Sequence, residues 1–355
     1  MLNIHYEQTK EKKIKPDYSK LGFGNYFTDH MFIMNYTEGK GWYDPRIIPY
    51  QNISISPAAK VFHYGQEMFE GLKAYKSPNG DILLFRPEKN IERMNTTNQR
   101  ICIPELDPDD ALQAIRSIVK YDIDWVPDLP GTSLYIRPFI IATDDQLGVH
   151  IAKNYLFIII LSPVGSYYPT GINPVKIYIE NEYVRAVKGG TGFAKIGGNY
   201  AASLIAQHNA EKLGYAQVLW LDGIEHKYID EVGAMNVFFV IGDEIVTPRL
   251  DEGSILPGVT RNSCIELLKY WGYKTTERKL ALTEVLEAYK AGKLKEAFGT
   301  GTAAVISPIG ELNNNGEIFI LNDNKIGPIS QKLYDNLTGV QWGKIEDKFG
   351  WSVKV

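Results

Sequence analysis

Lys195 lies in the segment Lys188-Gly-Gly-Thr-Gly-Phe-Ala-Lys195-Ile-Gly-Gly-Asn-Tyr200, between apolar Ala194 and Ile196 and between two glycine clusters. A surface lysine ordinarily lays its stem along a helix or polar loop and keeps its ammonium in water. Glycines on both sides point to a backbone that approaches something closely. A lysine amine forms a Schiff base with a carbonyl cofactor, and an apolar, partly buried setting favours its neutral, nucleophilic form. The order Gly-Lys-Ser/Thr of a phosphate loop is absent. The ordinary alternative is a flexible glycine-rich loop that happens to carry a lysine.

Four further signals bear on chemistry. Ile255-Leu-Pro-Gly-Val-Thr-Arg261 reads as a helix start, where unpaired amides and the dipole favour an anion. Gly299-Thr-Gly-Thr302-Ala303-Ala304 reads as a tight turn whose amides and hydroxyls suit an anion too. Glu231, at an apolar strand entry, is either an ion-paired structural acid or a carboxylate for a cofactor nitrogen. Arg93 is on a predicted helix, and strand alternation turns Arg137 to the same face as Tyr135. A buried arginine needs an anionic partner, and a substrate carboxylate would serve. Each has a plain structural reading. Together they match the needs of pyridoxal phosphate: a lysine, anion sites for phosphate, and an acid opposite the ring nitrogen.

The elements that must position these groups follow from pattern. A chain of 355 residues favours two domains. Strands are expected near 27–36, 133–143, 155–164, 175–180 and 217–221, with hairpins over 72–86 and 237–247. Pro87 opens a helix, and Asp107-Pro108 caps another with Ala111, Ile115 and Ile118 inward. A helix over 199–213 would turn Ala202, Ile205 and Ala206 inward. Another opens at 256–261, and Thr283 would cap one more. The Gly299-Thr-Gly-Thr302 turn joins two strands. The fold class is therefore α+β or mixed α/β. A small N-terminal α/β domain spans 1–164, an interdomain loop 165–173, and a larger cofactor-binding domain 174–355. No GxGxxG opens a βαβ unit, which disfavours a dinucleotide domain.

Composition excludes other classes. The net charge of −4 comes without any basic run, so neither nucleic acid nor a membrane surface is an expected partner. The apolar run Tyr155–Leu161 is too short to span a bilayer. Two distant cysteines form no CxxC, and six histidines show no metal spacing, so no metal is expected. The N-terminus lacks a signal-like apolar stretch and a transit-peptide bias. The expected location is cytoplasmic.

The chain resembles the branched-chain amino acid aminotransferases, fold-type IV pyridoxal-phosphate enzymes, from about Phe23 to Val355. The motifs that carry the likeness are Phe27-Thr-Asp-His30, His63-Tyr-Gly-Gln-Glu-Met-Phe-Glu-Gly71, Asn90-Ile-Glu-Arg-Met94, Gly131-Thr-Ser-Leu-Tyr-Ile-Arg-Pro138, Lys195-Ile-Gly-Gly-Asn-Tyr200, Glu231-Val-Gly233, Leu256-Pro-Gly-Val-Thr-Arg261 and Phe298-Gly-Thr-Gly-Thr302. The resemblance implies that Lys195 carries the cofactor and that Glu231 pairs with its ring nitrogen. It places Tyr200 at the phenolic oxygen, Leu256 on the ring, and Arg93, Val259, Thr260 and Thr302 at the phosphate. Phe23, Phe69 and Tyr135 form the aliphatic pocket. Tyr64, Leu147 and Val149 reach in from the partner of a homodimer. Ala303 and Tyr64 hold the substrate carboxylate, and Arg137 meets the side-chain carboxylate of glutamate. Ala234 stands where some eukaryotic relatives have Thr, and Ala304 and Ser307 where some have a CxxC. Neither change removes a group needed for transamination.

The implied reaction is ping-pong amino transfer from L-leucine, L-isoleucine or L-valine to 2-oxoglutarate, with Lys195 as base and then acid. A mostly apolar pocket separates such side chains by only about 1–3 kcal/mol per methylene. The alternatives are a D-amino acid aminotransferase or aminodeoxychorismate lyase on the same fold, or a non-catalytic binding protein.

Overall fold

The computed structural model describes residues 1–165 and 172–355. The expected interdomain loop, 165–173, thus lies mostly outside the described residues. The chain divides into two compact units. One comprises Met1–Pro169, Ala194–Gly197 and Gly339–Val355, the other Thr170–Phe193 and Gly198–Thr338. Lys195 therefore clusters with the first unit, not with the segment around it in sequence.

The first unit is built on strands His5–Tyr6 (β1), His30–Thr37 (β2), Gly41–Pro49 (β3), Glu67–Phe69 (β4), Leu72–Lys76 (β5), Ile82–Phe85 (β6), Ser133–Ala142 (β7) and Asn154–Val164 (β8), with Ser352–Lys354 on β6. Their order is β1-β3-β2-β8-β7-β5-β6, with β4 also on β7. Period-two alternation decides which side chains go where. Along β7, Leu134, Ile136, Ile140 and Ala142 are fully buried in the core, whereas Tyr135, Arg137, Phe139 and Ile141 stand on the other face. The core face is covered by helices Pro87–Arg100 (α2) and Pro108–Tyr121 (α3), which follow the short helix Lys60–Tyr64 (α1). Ile91 and Met94 of α2 and Ala111, Ile115 and Ile118 of α3 are buried there. Asp107 caps α3 by accepting from the amides of Asp109 and Asp110, with Pro108 at its first position.

The second unit contains Val175–Ile179 (β9), Gln217–Leu221 (β10), Ile229–Val232 (β11), Asn236–Ile241 (β12), Glu244–Thr247 (β13), Lys274–Glu277 (β14), Leu294–Gly301 (β15), Val305–Asn314 (β16) and Glu317–Ile320 (β17). They form a mixed sheet in the order β11-β10-β9-β16-β15-β12-β13-β14, with β17 on β16. The helices are Gly197–Ala201 (α4), Leu204–Lys212 (α5), Val259–Tyr270 (α6), Leu282–Lys290 (α7) and Pro328–Gln341 (α8).

Three local expectations change. The helix over 199–213 is two helices, α4 and α5. Ala206 and Ala210 pack beside Val218 and Trp220, while Ile205 and Leu204 are exposed. Ala202 is exposed as well. Of the three residues expected inward, Ala206 is buried, and its partner in the buried stripe is Ala210, one turn on. Thr283 is inside α7, whose N-cap is Ala281 and has no side-chain cap. Gly299, Thr300 and Gly301 belong to β15 and pair with Ser307, Ile306 and Val305, so the turn itself is 302–304.

Candidate active site

Lys195 sits half-buried in the first unit, between Ala194 and Ile196, which join the core. Its backbone is pinned on both sides. The Lys195 amide donates to Thr97 Oγ1 of α2 at 3.0 Å, and its carbonyl accepts from the Phe69 amide at 3.0 Å. The Lys195 Nζ lies 4.7 Å from the Phe69 ring centroid, an attractive placement for an ammonium.

Phe69 also receives Arg137, whose Cζ is 4.8 Å from the ring centroid. Arg137 donates to the Tyr135 hydroxyl at 3.1 Å. Tyr135 meets Phe23 edge-on, with centroids 4.9 Å apart. A Cβ on Gly71 would fall 2.0 Å from the Tyr135 hydroxyl oxygen, so only glycine allows this approach. The aromatic pocket residues Phe23, Phe69 and Tyr135 are thus together, with Arg137 and Lys195 both against the Phe69 ring.

Arg93 of α2 is buried and makes a bidentate pair with Glu70, its Nε and one terminal nitrogen each 2.8 Å from a carboxylate oxygen. The Asn90 side chain and the Gly71 amide donate to the same carboxylate, at 2.9 and 3.1 Å. Burial alone would raise Glu70. Arg93, with Lys195 and Asn90 adding, holds it below its ordinary range. Glu70 was not singled out in sequence. Its signal was available, since a helical arginine that is to be buried requires an acid nearby.

In the second unit Glu231, on β11, is buried. Its Oε1 accepts from Asn236 Nδ2 at 3.1 Å and from the Leu256 amide at 3.2 Å. Arg185 Nε lies 2.6 Å from the other oxygen. A terminal nitrogen of Arg185 donates to the carbonyls of Gly192 and Ser254 at 3.2 and 2.7 Å. Asn236 also donates to the Leu256 carbonyl at 2.8 Å, tying Leu256 to the acid. Neither Arg185 nor Asn236 carried a sequence signal, because their roles depend on register and loop path. Val259 and Thr260 occupy the first turn of α6, behind Gly258, which supplies no side-chain cap. A Cβ at Gly258 would fall 2.1 Å from Asn236 Oδ1. Thr302 and Ala303 lie in the turn between β15 and β16. Tyr200 is on α4.

Tyr64, Leu147 and Val149 form a separate group in the first unit. The Gly148 amide donates to the Tyr64 hydroxyl at 2.8 Å. Leu147 and Val149 are 64% and 87% exposed.

Residues 67–312 match the family model for amino-transferase class IV. The chain is 60% identical to branched-chain-amino-acid aminotransferase 2 of Bacillus subtilis over 352 residues, covering 99% of this chain and 97% of that protein. It is 55% identical to branched-chain-amino-acid transaminase 1 of the same organism, covering 99% of each. The chain belongs to the branched-chain amino acid aminotransferases of class IV. A solved branched-chain amino acid aminotransferase from Escherichia coli superimposes with a TM-score of 0.75 at 25% identity, covering 91% of this chain and 98% of that one. The fold-type IV, mixed α/β architecture expected of a branched-chain aminotransferase is therefore the observed one. The alternatives on the same fold are not favoured.

Proposed function

We propose that the chain transfers the amino group of L-leucine, L-isoleucine or L-valine to 2-oxoglutarate, giving branched 2-oxo acids and L-glutamate, with pyridoxal 5'-phosphate as cofactor. The observation that carries the substrate class is the 60% identity, over almost the full length of both chains, to an enzyme named for branched-chain amino acids.

The donor set fits the cofactor. Glu231 is a buried carboxylate directed by Asn236 and the Leu256 amide, suited to a protonated ring nitrogen. Thr300 Oγ1 is buried with no hydrogen-bond partner among the described residues, and Thr300 pairs in register with Asn236. The first turn of α6, entered through glycine, offers amides at Val259 and Thr260 for phosphate. Thr302 and the charge of Arg93 would hold the phosphate, Leu256 would pack on the ring, and Tyr200 would hydrogen-bond its phenolic oxygen. When bound, the cofactor supplies an aldehyde for the substrate amine and an electron sink for the electrons of the Cα–H bond. Lys195 Nζ would take the Cα proton as a base and return it as an acid. Phe23, Phe69 and Tyr135 receive the aliphatic side chain. Arg137 receives the distal carboxylate of glutamate and 2-oxoglutarate, and the Ala303 amide holds the α-carboxylate.

The enzyme is also proposed to be a homodimer with shared sites. Leu147, Val149 and Phe62, all strongly exposed beside Tyr64, form an apolar group that burial against a second copy would account for. From that partner, Tyr64, Leu147 and Val149 complete the pocket, and Tyr64 contributes to α-carboxylate binding. Two free cysteines, Cys102 exposed and Cys264 buried, suit the reducing cytoplasm.

Borohydride reduction followed by peptide mapping tests the central assignment. The pyridoxyl mass is expected on the Lys195 peptide, and its appearance on Lys188 would refute the role. Lys195→Ala should lose nearly all turnover. Mixed with an inactive Tyr64/Val149 variant, it should recover activity on subunit exchange. No recovery despite proven exchange would refute shared sites.

A further inference from the structure

Glu67 stands on the same face of the first sheet as Phe69, two residues along β4. β4 pairs with β7 so that Glu67 faces Ile141 and Phe69 faces Phe139. Arg137 is two residues further along β7 on that same face, against the Phe69 ring. The Glu67 carboxylate accepts from the amide of Gly197, two residues beyond Lys195. Its charge also lies in the field of Arg137. Arg137 itself donates only to Tyr135, its Nε is buried without an acceptor, and it makes no direct salt bridge among the described residues.

This arrangement answers a problem set by the proposed reaction. One pocket must take an aliphatic side chain in one half-reaction and a carboxylate in the other. An arginine bonded directly to a protein acid would be unavailable to the dicarboxylate. An arginine with no counter-charge would be costly beside an aliphatic chain. We propose that Glu67 is a specificity-determining counter-charge to Arg137: near enough to compensate the guanidinium when the side chain is aliphatic, and unbonded to it, so that a substrate carboxylate can take the guanidinium. The proposal rests on the assignment of Arg137 to the distal carboxylate. Burial pushes the Glu67 carboxyl upward, against the Gly197 amide and Arg137. Its charge is therefore weakly held, which suits a group that must tolerate a second carboxylate.

The test is calorimetric titration of the cofactor-loaded enzyme with glutarate and with 4-methylpentanoate. Glu67→Gln keeps an acceptor for the Gly197 amide and removes the charge. It should tighten glutarate about tenfold and leave 4-methylpentanoate unchanged or weaker, a change of about 1.4 kcal/mol in selectivity. The ratio of kcat/KM for 2-oxoglutarate over L-leucine should move the same way. Glu67→Ser provides a second variant with the same expected direction. Equal weakening of both ligands, or no change in either, would overturn the proposal and leave Glu67 a structural residue. Arg137→Met separates the two layers. It should abolish the preference shift. If glutarate binding is untouched by Arg137→Met, the assignment of Arg137 falls and the Glu67 proposal with it. If Arg137→Met weakens glutarate but Glu67→Gln shifts nothing, only the Glu67 proposal falls.

Discussion

Glu70 in the first unit and Glu231 in the second are both buried acids beside an arginine, and the fold holds them by different means. Glu70 takes two donors from Arg93, one from Asn90 and one from the Gly71 amide. Three of these come from α2 and one from the turn after β4, so the carboxylate joins a helix to the sheet. Glu231 is held on one oxygen by Asn236 of β12 and the Leu256 amide, and on the other side by Arg185. Those groups come from separate loops and strands, and what they fix is the direction of one carboxylate. The same ion-pair chemistry thus anchors structure in one unit and aims a charge in the other.

From that contrast, the largest expected functional loss is that of Glu231→Gln. The amide keeps the shape and an acceptor for Asn236 and Leu256, and removes the charge meant for the ring nitrogen. The single-turnover half-reaction with L-leucine should slow by about 10²-fold or more, the scale of losing one aimed electrostatic group. Far-ultraviolet circular dichroism should be unchanged. An unaltered single-turnover rate would erase the distinction between the two acids.

Arg93→Met probes the other side. It leaves Glu70 buried with Asn90, Gly71 and the more distant charge of Lys195. Removing one partner of a buried pair costs about 3–5 kcal/mol. The sign with pH follows from linkage. In the native protein Glu70 is depressed, so its contribution is present above the unfolded carboxylate value and is lost as pH falls through the folded one. In the variant burial dominates and the acid prefers its proton. The deficit should therefore be greatest near pH 7 and shrink toward pH 4. Urea unfolding at both pH values, at fixed cofactor concentration, reads it directly. A deficit independent of pH would mean that Arg93 stabilises by packing of its stem or by holding the cofactor, and not by keeping Glu70 charged.

The contrast also explains what was legible in the sequence. Lys195 announced itself by glycines and apolar neighbours, and Arg137 by alternation with Tyr135, since both signals are local. The strand 133–142 and the helix opened by Pro108 were readable for the same reason. Arg185, Asn236 and Thr300 were not. Each matters through a partner brought by register or by a loop, as Asn236 is brought opposite Thr300, and one sequence does not display register. Of the residues expected inward over 199–213, Ala206 is buried but Ala202 and Ile205 are not, because the chain breaks into α4 and α5 and the second helix turns Ala206 and Ala210 inward. Lys195 joined the first unit because its backbone bonds go to Phe69 and Thr97, a placement no local pattern encodes.

The smallest expected effect concerns Asp230, the neighbour of Glu231 on β11. Strand alternation sends the two side chains to opposite faces. Asp230 lines a surface pocket with Asp222, Ser254 and Lys279. Burial pushes its carboxyl up to about 6, opposed by a hydrogen bond from Ser254 and by Arg185, and reinforced by Asp222 and Glu252. The native protein therefore holds the Asp230 proton more tightly than the unfolded chain, whose value lies near 3.8. The resulting stabilisation is complete below the unfolded value. It declines as pH rises from about 4 to 6 and is gone above that. Asp230→Asn keeps a partner for Ser254 and removes this slope. At pH 7 the variant should be more stable by about 1–2 kcal/mol, reduced from the full linkage value because the pocket is open to water. Unfolding midpoints at pH 5 and pH 7.5 decide the matter. The variant's advantage must grow with pH. An advantage that shrank, or a loss at pH 7.5, would show that the Asp230 charge is needed to steady Arg185. Glu231 would then be aimed by a network running through both faces of β11, and not by one face alone.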